Sequence, residues 1–401
     1  MSPLKISWKS LWAKPLSTAL NLLLVAFGTG IFTILVLASA QISAKLDNNA
    51  KDIDLVVGAK GSPLQLVLSS IYYIDFPTGN IPLEDAQQLA HNPLVKRAVP
   101  LALGDNYNGL RIVGTDSNFV SLYALKTNTG KFWKEDFETT IGASVAESQH
   151  LKVGDEFFGA HGLASTSDVH KSHAYKVSGI LEPQHNVTDN LILTNISSVW
   201  KMHDPEEEGH DRHEKGASEI ENKEITSLLI QYRSPMSVVL FPRMVNEATN
   251  LQAASPAAES TRLFSLIGVG VDTLQWFAII IMLIAAISVF INLYNSLKER
   301  RYDLAIMRTL GASKAKLFFI VICEGMLVTL TGTLIGMVFG HLSLQLIGHL
   351  QESNQARLTG INFVTEEIYL LPAGIAIGIF ASVLPALQAY QSNISKILAR
   401  N

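Results

Sequence analysis

The sequence predicts a membrane protein with four transmembrane α-helices and a large α+β extracytoplasmic domain between the first and the second of them. Composition is the first observation behind this prediction. Of the 401 residues, 48% are hydrophobic and only 16% are charged, whereas soluble domains average about 25% charged residues. The second observation is that the apolar residues are concentrated in four windows, each as long as the roughly 20 residues of a membrane helix.

The four windows are almost free of charge. Residues 16–40, 274–293 and 369–389 contain no charged side chain, and residues 317–342 contain only Glu324. Buried helices of a soluble core are the alternative, but four such long runs in one chain favour transmembrane helices. We therefore predict four membrane helices, which in chain order are 16–40, 274–293, 317–342 and 369–389.

The first window has a second alternative, because Ala38-Ser39-Ala40 resembles the cleavage site of a signal peptide. The apolar part of a signal peptide is about 7–15 residues long, and this window is longer. The length favours a membrane anchor that is retained in the mature protein.

The orientation follows from the lysines and arginines near the membrane helices, which collect on the cytoplasmic side. Basic residues predominate in the amphipathic N-terminal segment 1–15, in the loop 294–316 and in the tail 390–401, whereas the short loop 343–368 is acidic. We predict that both termini and the loop 294–316 are cytoplasmic. Residues 41–273 then lie on the outer, periplasmic side of the inner (plasma) membrane.

The extracytoplasmic domain, residues 41–273, has the pattern of strands alternating with short helices that is typical of an α+β domain. Residues 41–51 and 256–273 are predicted to be helical stalks that continue the first two membrane helices. The strand candidates are 53–57, 95–101, 110–113, 175–181 and 190–193, with a loop at 58–63 and a helix at 83–91.

Several functional classes are excluded by the sequence. The net charge of −4 argues against nucleic-acid binding, which usually requires a basic excess. The single cysteine, Cys323, excludes an intrachain disulfide. There is no G-x-x-x-x-G-K-[ST] phosphate-binding loop and no catalytic constellation. We therefore predict that the chain is not an enzyme and that it neither binds nor hydrolyses ATP itself.

A histidine-rich loop is the candidate metal site of the extracytoplasmic domain. His210 and His213 are three residues apart, so one helical turn would place both rings on one face, with His203 nearby. Imidazole and carboxylate groups are suitable ligands for zinc. The alternative is a solvated acidic loop without metal.

Two features inside the membrane windows stand out. Small residues recur every four positions, which lets another helix backbone approach closely. Glu324 is the other feature, because a carboxylate at membrane depth is costly and often functional, the alternative being that it reaches towards the nearby basic loop. The predicted helix-packing residues are Gly332, Gly336 and Gly340 in the third helix and Gly374 and Gly378 in the fourth.

The cytoplasmic loop 294–316 contains a short amphipathic helix. Gly311 is suited to end this helix, and Ser313 is suited to cap the next one. Such a helix beside the bilayer either lies on lipid or docks into a partner protein.

This loop also resembles a known family. Its sequence KERRYDLAIMRTLGASKAKLF, followed by Glu324-Gly325, is similar to the signature of the FtsX/MacB-type permeases of ABC transporters. Three further stretches are similar to the periplasmic domain of that family: VPLALGDNYNGLRIVGTD, LKVGDEFF and YKVSGILEP. The C-terminal end of the family is similar to LPALQAYQSNISKILAR. DLVVGAKGSPLQLVLSSIYYIDFPTGN resembles a branch found beside zinc-responsive periplasmic proteins.

The resemblance implies a mechanotransmission permease. A second permease copy, most simply an identical one, and a separate ATPase that binds ATP and Mg²⁺ would complete the transporter, and a periplasmic partner protein is a further expectation. The segment 298–313 would be the coupling helix, with Glu324 helping to position it. Polar contacts with the ATPase are expected from Arg300, Arg301 and Asp303, and apolar contacts from Leu304, Met307 and Leu310 before the stop at Gly311.

The main alternative is a sensory membrane protein whose external domain binds a ligand or a metal. The third and fourth membrane helices and the coupling segment count against this alternative, since a receptor would need a cytoplasmic output domain. The resemblance therefore favours a permease.

Overall fold

The computed structural model describes residues 3–162, 173–202, 223–350 and 358–391. Among these residues the α-helices are α1 (Pro3–Ala13), α2 (Pro15–Asn49), α3 (Pro63–Ser70), α4 (Leu83–Ala90), α5 (Ser117–Leu122), α6 (Ala143–Gln149), α7 (Ile196–Met202), α8 (Ser237–Ala248), α9 (Pro256–Glu299), α10 (Arg301–Thr309), α11 (Lys314–Leu350) and α12 (Leu370–Gln391). The strands are β1 (Leu55–Ala59), β2 (Ile81–Pro82), β3 (Val95–Tyr107), β4 (Leu110–Thr115), β5 (Thr127–Gly130), β6 (Glu138–Ile141), β7 (Glu156–Phe157), β8 (Ala160–His161), β9 (Tyr175–Leu181), β10 (Ile192–Asn195), β11 (Glu224–Ile225), β12 (Ser227–Tyr232) and β13 (Leu251–Ala254).

The chain divides into two compact units. One unit comprises residues up to Ile42 and from Leu266 onward, and the other comprises Ser43–Ser265. In the described part of the chain, α2, α9, α11 and the stretch Thr365–Gln391 around α12 are long and apolar enough to cross a membrane. The predicted fold class, a membrane protein with four membrane helices and a large α+β domain between the first and second, is thereby confirmed. Both α2 and α9 run on beyond their apolar windows, to Asn49 and from Pro256.

The predicted small residues lie where helices of the membrane unit touch. A Cβ added to Gly336 would lie 2.5 Å from the carbonyl oxygen of Ala26 in α2, and one added to Gly340 would lie 3.0 Å from that of Gly30. These distances are shorter than van der Waals contact, so the backbones of α2 and α11 lie in direct contact and leave no room for a side chain. Gly332 likewise contacts Val25. The groove is therefore filled by this chain's own first membrane helix and needs no second copy.

The fourth membrane helix packs on another side of α11 in the same way. A Cβ on Gly378 would lie 2.9 Å from Cα of Met326, and Gly374 faces the side chain of Thr333. Leu274 and Trp276 of α9, in contrast, are half exposed or more. Most of the apolar surface of α9 therefore remains available to lipid.

The second unit is built on one mixed sheet with the strand order β13-β1-β12-β3-β4-β10-β6-β9-β5, in which β7 adds to β9 and β8 to β3. The long strand β3 joins its two halves, because its first part pairs with β12 and its second part with β4. A buried cluster around Phe119, Leu101 and Leu193 and a second around Phe241 and Ile230 pack on its faces.

Two of the predicted strand boundaries are wrong. Gly58 and Ala59 were expected in a loop, but both belong to β1, where they pair with β12 or β13. β10 begins only at Ile192, because Val187–Asn190 forms a 3₁₀ turn capped by the side chain of Asn186. In both places, hydrogen bonding to distant residues overrides the local pattern.

We predict that Gly336→Leu destabilises the membrane unit by about 1–3 kcal/mol or more, because the added side chain must displace the backbone of α2 at Ala26. The measurement is thermal unfolding of the full chain in detergent. Gly268→Ala in α9 is the matched control, since its Cβ would meet no atom within 4 Å. Equal melting temperatures for the two variants would contradict the packing described for α11.

Candidate functional site

The candidate site is the segment between α9 and α11, which contains the short helix α10. Only Arg300 separates α9 from α10. Asp303 in the first turn and Arg308 in the last turn suit the helix dipole. At the C-terminal end, the amide of Gly311 donates to the carbonyl of Arg308 and that of Ala312 to the carbonyl of Met307, both at 3.0 Å.

These two bonds form a Schellman motif, which requires a left-handed residue after the helix. Gly311 supplies it with φ +96°. Ser313 then accepts from the amide of Lys316 at 3.2 Å and caps α11. The predicted helix stop and helix cap are both confirmed.

One face of α10 is buried against the chain itself. Leu304 is 6% exposed and packs with Leu317 and Ile320 of α11, and Met307 joins the same cluster. Leu304 therefore packs inside the chain, and Met307 is also turned mainly inward. Their contacts with an ATPase stay predictions. An amphipathic pattern reveals an apolar face but not which surface covers it.

The opposite face of α10 is exposed. Leu310 is 82% exposed, Tyr302 46% and Ile306 38%. Arg301 and Asp303 flank them and are exposed as well. We call these five residues the exposed face of α10. Tyr302 and Ile306 were not among the predicted contact residues, although their positions on the helix repeat the i, i+4 spacing to Leu310.

The first helix, α1, supports α10 through a chain of polar contacts. Ser10 donates to Oε1 of Glu324 at 2.6 Å, and the guanidinium of Arg300 donates to the hydroxyl of Ser10. Glu324 is 7% exposed. The carboxylate therefore does not reach out to solvent but holds Ser10 and, through it, Arg300. Arg300 makes this contact inside the chain, and its contact with an ATPase stays a prediction.

Further contacts fix α1 in the same place. Ser7 is fully buried and donates to the carbonyl of Ile320 at 2.8 Å. Lys14 forms an ion pair with Glu299 at the end of α9. Ser7 and Ser10 were not among the predicted residues. Their spacing of three in an otherwise apolar and basic helix, which puts both hydroxyls on one face, was the available signal.

In the second unit, tyrosine side chains bind the ends of the stalks to the domain. The hydroxyl of Tyr72 lies 2.8 Å from Oγ of Ser260 in α9 and 3.4 Å from the carbonyl of Leu46 in α2. Tyr123 donates to the carbonyl of Asn49 at 3.2 Å. Burial raises the pKa of both phenols, so both remain neutral donors over the physiological range.

The predicted metal ligands His203, His210 and His213 lie outside the described residues, so zinc binding stays a prediction. Within residues 3–162, 173–202, 223–350 and 358–391, no group of three or more His, Cys, Asp or Glu side chains is placed to hold a metal ion.

Comparison with known proteins identifies two family domains. Residues 18–240, more than half of the chain, match the MacB-like periplasmic core domain, and residues 276–394 match the FtsX-like permease C-terminal domain. The second match contains α10 and Glu324, and the first contains the tyrosine contacts of α2.

Two curated relatives and one solved structure are similar to parts of this chain. An uncharacterized ABC transporter permease protein of Mycobacterium tuberculosis is 26% identical over 75% of this chain and 34% of its own length. The lipoprotein-releasing system transmembrane protein LolC of Neisseria meningitidis is 23% identical over 72% of this chain and 70% of its own length. The chain thus spans about a third of the mycobacterial relative. The periplasmic region of MacB from Actinobacillus actinomycetemcomitans aligns with a TM-score of 0.34 and 11% identity over 55% of this chain and 97% of that one.

We predict that Glu324→Leu destabilises the full chain by about 1–3 kcal/mol, because the hydroxyl of Ser10 then lacks its buried acceptor. The guanidinium of Arg300 keeps its bond to that hydroxyl but loses the nearby negative charge. Glu324→Gln keeps an oxygen acceptor and should cost less. Thermal unfolding in detergent measures both variants. The control is Glu299→Gln, which removes the exposed ion-pair partner of Lys14. It should change the free energy of unfolding by less than about 1 kcal/mol. A loss for Glu324→Leu no larger than that of the control would refute a structural role of the contact.

Proposed function

The chain belongs to the ABC transporter permeases that combine a MacB-like periplasmic core domain with an FtsX-like C-terminal domain, and on this premise we propose that it is a mechanotransmission subunit. It would couple ATP hydrolysis by a separate ATPase to movements of its extracytoplasmic domain. The ATP and Mg²⁺ of the transporter would be bound by that ATPase and not by this chain. The membrane would be the inner membrane, with both termini cytoplasmic and residues 41–273 periplasmic.

The observation that carries this proposal is the two-sided environment of α10. Its buried face is fixed to α11 through Leu304 and to α1 through the contact of Arg300 with Ser10. Its exposed face offers the apolar side chains of Tyr302, Ile306 and Leu310 to water. A helix held rigidly on one side and apolar on the other is suited to receive a partner protein and to pass its displacement on.

The path from α10 to the extracytoplasmic domain runs through continuous helix. α10 follows α9 after a single residue, and α9 extends over 44 residues to Pro256. At 1.5 Å per residue this helix is about 66 Å long, more than twice the hydrocarbon thickness of a bilayer. Tyr72 then binds the α9 end at Ser260 and the α2 end at Leu46. Displacement of the stalks would be passed through these bonds into the sheet.

Three further components would complete the transporter. A second permease copy, most simply an identical chain, would supply the other half of the transporter. A periplasmic protein would bind the extracytoplasmic domain, and zinc would bind to His203, His210 and His213. The cargo would be expelled, extracted or signalled to on the periplasmic side.

We predict that Ile306→Glu and Leu310→Glu each reduce co-purification of the ATPase at least about tenfold, because a carboxylate would be buried in the apolar contact. The measurement is the amount of ATPase that co-purifies with the full chain in detergent. Leu304→Ala tests the other face and should lower the melting temperature of the chain.

Ile361→Glu is the matched control, since Ile361 is 80% exposed but lies in the loop between α11 and α12, at the other end of the membrane helices. It should leave ATPase binding unchanged. If Ile306→Glu and Leu310→Glu bind the ATPase as the control does, the exposed face of α10 is not the docking surface. Absence of any ATPase partner for the unmodified chain would instead contradict the permease function itself.

A further inference from the structure

The connection between α11 and α12 carries a polar cluster that the coupling function does not use. Part of this connection, residues 358–364, lies directly on α11: a Cβ on Gly360 would be 2.9 Å from the carbonyl carbon of His341, and one on Gly348 would be 3.0 Å from that of Leu358. Both positions therefore need glycine. The close approach brings the ring of His341 under this connection, where the ring of Phe363 stacks parallel to it at 6.0 Å.

Both nitrogens of His341 have an oxygen partner. Nδ1 lies 2.6 Å from the carbonyl oxygen of Gly360, and Nε2 lies 2.7 Å from Oε2 of Glu367. A carbonyl oxygen only accepts, so Nδ1 carries a proton. Nε2 and a carboxylate oxygen would then repel each other at 2.7 Å unless a further proton lies between them. The geometry therefore requires that His341 and Glu367 share a proton.

Glu367 is held in place by a second bond and by burial. Its side chain is fully buried, and Oε1 accepts from the amide of Val364 at 3.1 Å. Without the shared proton, a neutral imidazole would face a buried carboxylate with an unpaired negative charge. Such a charge is costly in a low-dielectric site. Loss of one proton therefore changes the pair from attractive to repulsive.

The same segment also fastens the first membrane helix. Gln41 of α2 exchanges two hydrogen bonds with the backbone of Thr359, at 2.7 and 2.9 Å. Gln345 of α11 accepts from the hydroxyl of Thr359 at 3.0 Å and from the amide of Gly360 at 2.8 Å. α2 and α11 are thus joined through one short stretch of backbone, and His341 fixes that stretch through Gly360.

We propose that His341 and Glu367 form a proton-dependent clasp that fastens residues 358–364 to α11 and, through Gln41, to α2. The clasp is closed while the pair holds its shared proton. It opens as the pH on that side of the membrane rises far enough to remove the proton. The chain would thereby adjust the attachment of its first membrane helix to the pH of the compartment that residues 358–364 face.

Few other titratable groups of the described residues belong to these elements. Residues 358–364 contain none, and α2 contains none between Pro15 and Gln41. The turn that carries Glu367 adds the exposed Glu366 and Tyr369. At this end of α11 the further titratable group is His349, whose Nε2 lies 3.0 Å from the side-chain amide nitrogen of Gln345. The other titratable groups of α11 lie at least 17 positions before His341 and are Lys314, Lys316, Cys323 and Glu324. His349 is thus the second histidine that the experiment must separate from His341.

Hydrogen–deuterium exchange of the full chain in nanodiscs tests the proposal. The amides of Thr359, Gly360 and Val364 are donors to clasp side chains, so their protection, normalised to the intrinsic rate at each pH, reports closure. In the unmodified chain, protection should fall about tenfold or more as the pH is raised above the ordinary histidine pKa, because the shared proton is then lost.

Glu367→Gln is the decisive variant. Its side-chain amide donates to a neutral His341 ring, and its oxygen still accepts from Val364, so the clasp closes without a shared proton. Protection should then be independent of pH. His341→Gln should also abolish the pH dependence and serves if Glu367→Gln does not fold. His349→Gln should retain the full pH dependence of the unmodified chain.

Two results would overturn the proposal. One is protection in the unmodified chain that does not change with pH. The other is pH dependence that persists in Glu367→Gln and His341→Gln or disappears in His349→Gln, because the proton would then belong to another group. No ATPase is needed for these measurements, so failure of the clasp is distinguishable from failure of the permease function.

Discussion

Close packing against α11 is the constraint on which the rest of the membrane unit depends. Small residues let α2 approach one side of this helix at Gly336 and α12 approach another side at Gly378. Helices in lipid gain no hydrophobic free energy by touching each other, so they associate through such close contacts and through interhelical hydrogen bonds. α11 provides both, which makes it the central helix of the unit. α9 leaves most of its apolar surface exposed and is joined to α2 by the hydrogen bonds of Ser288 with Asn21 and of Ser17 with Asn292.

The polar contacts of α11 lie beside this packing and determine which short elements attach to it. Ser10 brings α1 to Glu324, and Leu304 brings α10 to Ile320 one turn earlier. α1 and α10 therefore bind neighbouring turns of the same helix. Trp8 and Trp12 of α1 are exposed, and exposed tryptophan is typical of the membrane interface.

The sequence predicted the membrane helices well because their signal is local: an uncharged apolar window is sufficient, whatever it packs against. It predicted the end of α10 for the same reason, since the left-handed turn at Gly311 is a property of one residue. It did not predict that Leu304 packs within the chain, because amphipathicity does not distinguish a face covered by the same chain from one awaiting a partner. It failed for Ser10 and Glu367, because their partners, Glu324 and His341, lie far away in sequence. The assignment of the exposed face of α10 to an ATPase rests on the family and not on the pattern.

The two polar networks of α11 also indicate where the bilayer lies. Glu324 and His341 are 17 positions apart on one continuous helix, which corresponds to about 26 Å at 1.5 Å per residue. This is close to the roughly 30 Å of a hydrocarbon core, and no charged side chain lies between them. A carboxylate near the edge of the core costs much less than one at its centre, because water and headgroups are within reach. Glu324 and Glu367 are therefore best understood as groups at opposite edges of the membrane, each fastening a short element, α1 in one case and residues 358–364 in the other, to the central helix.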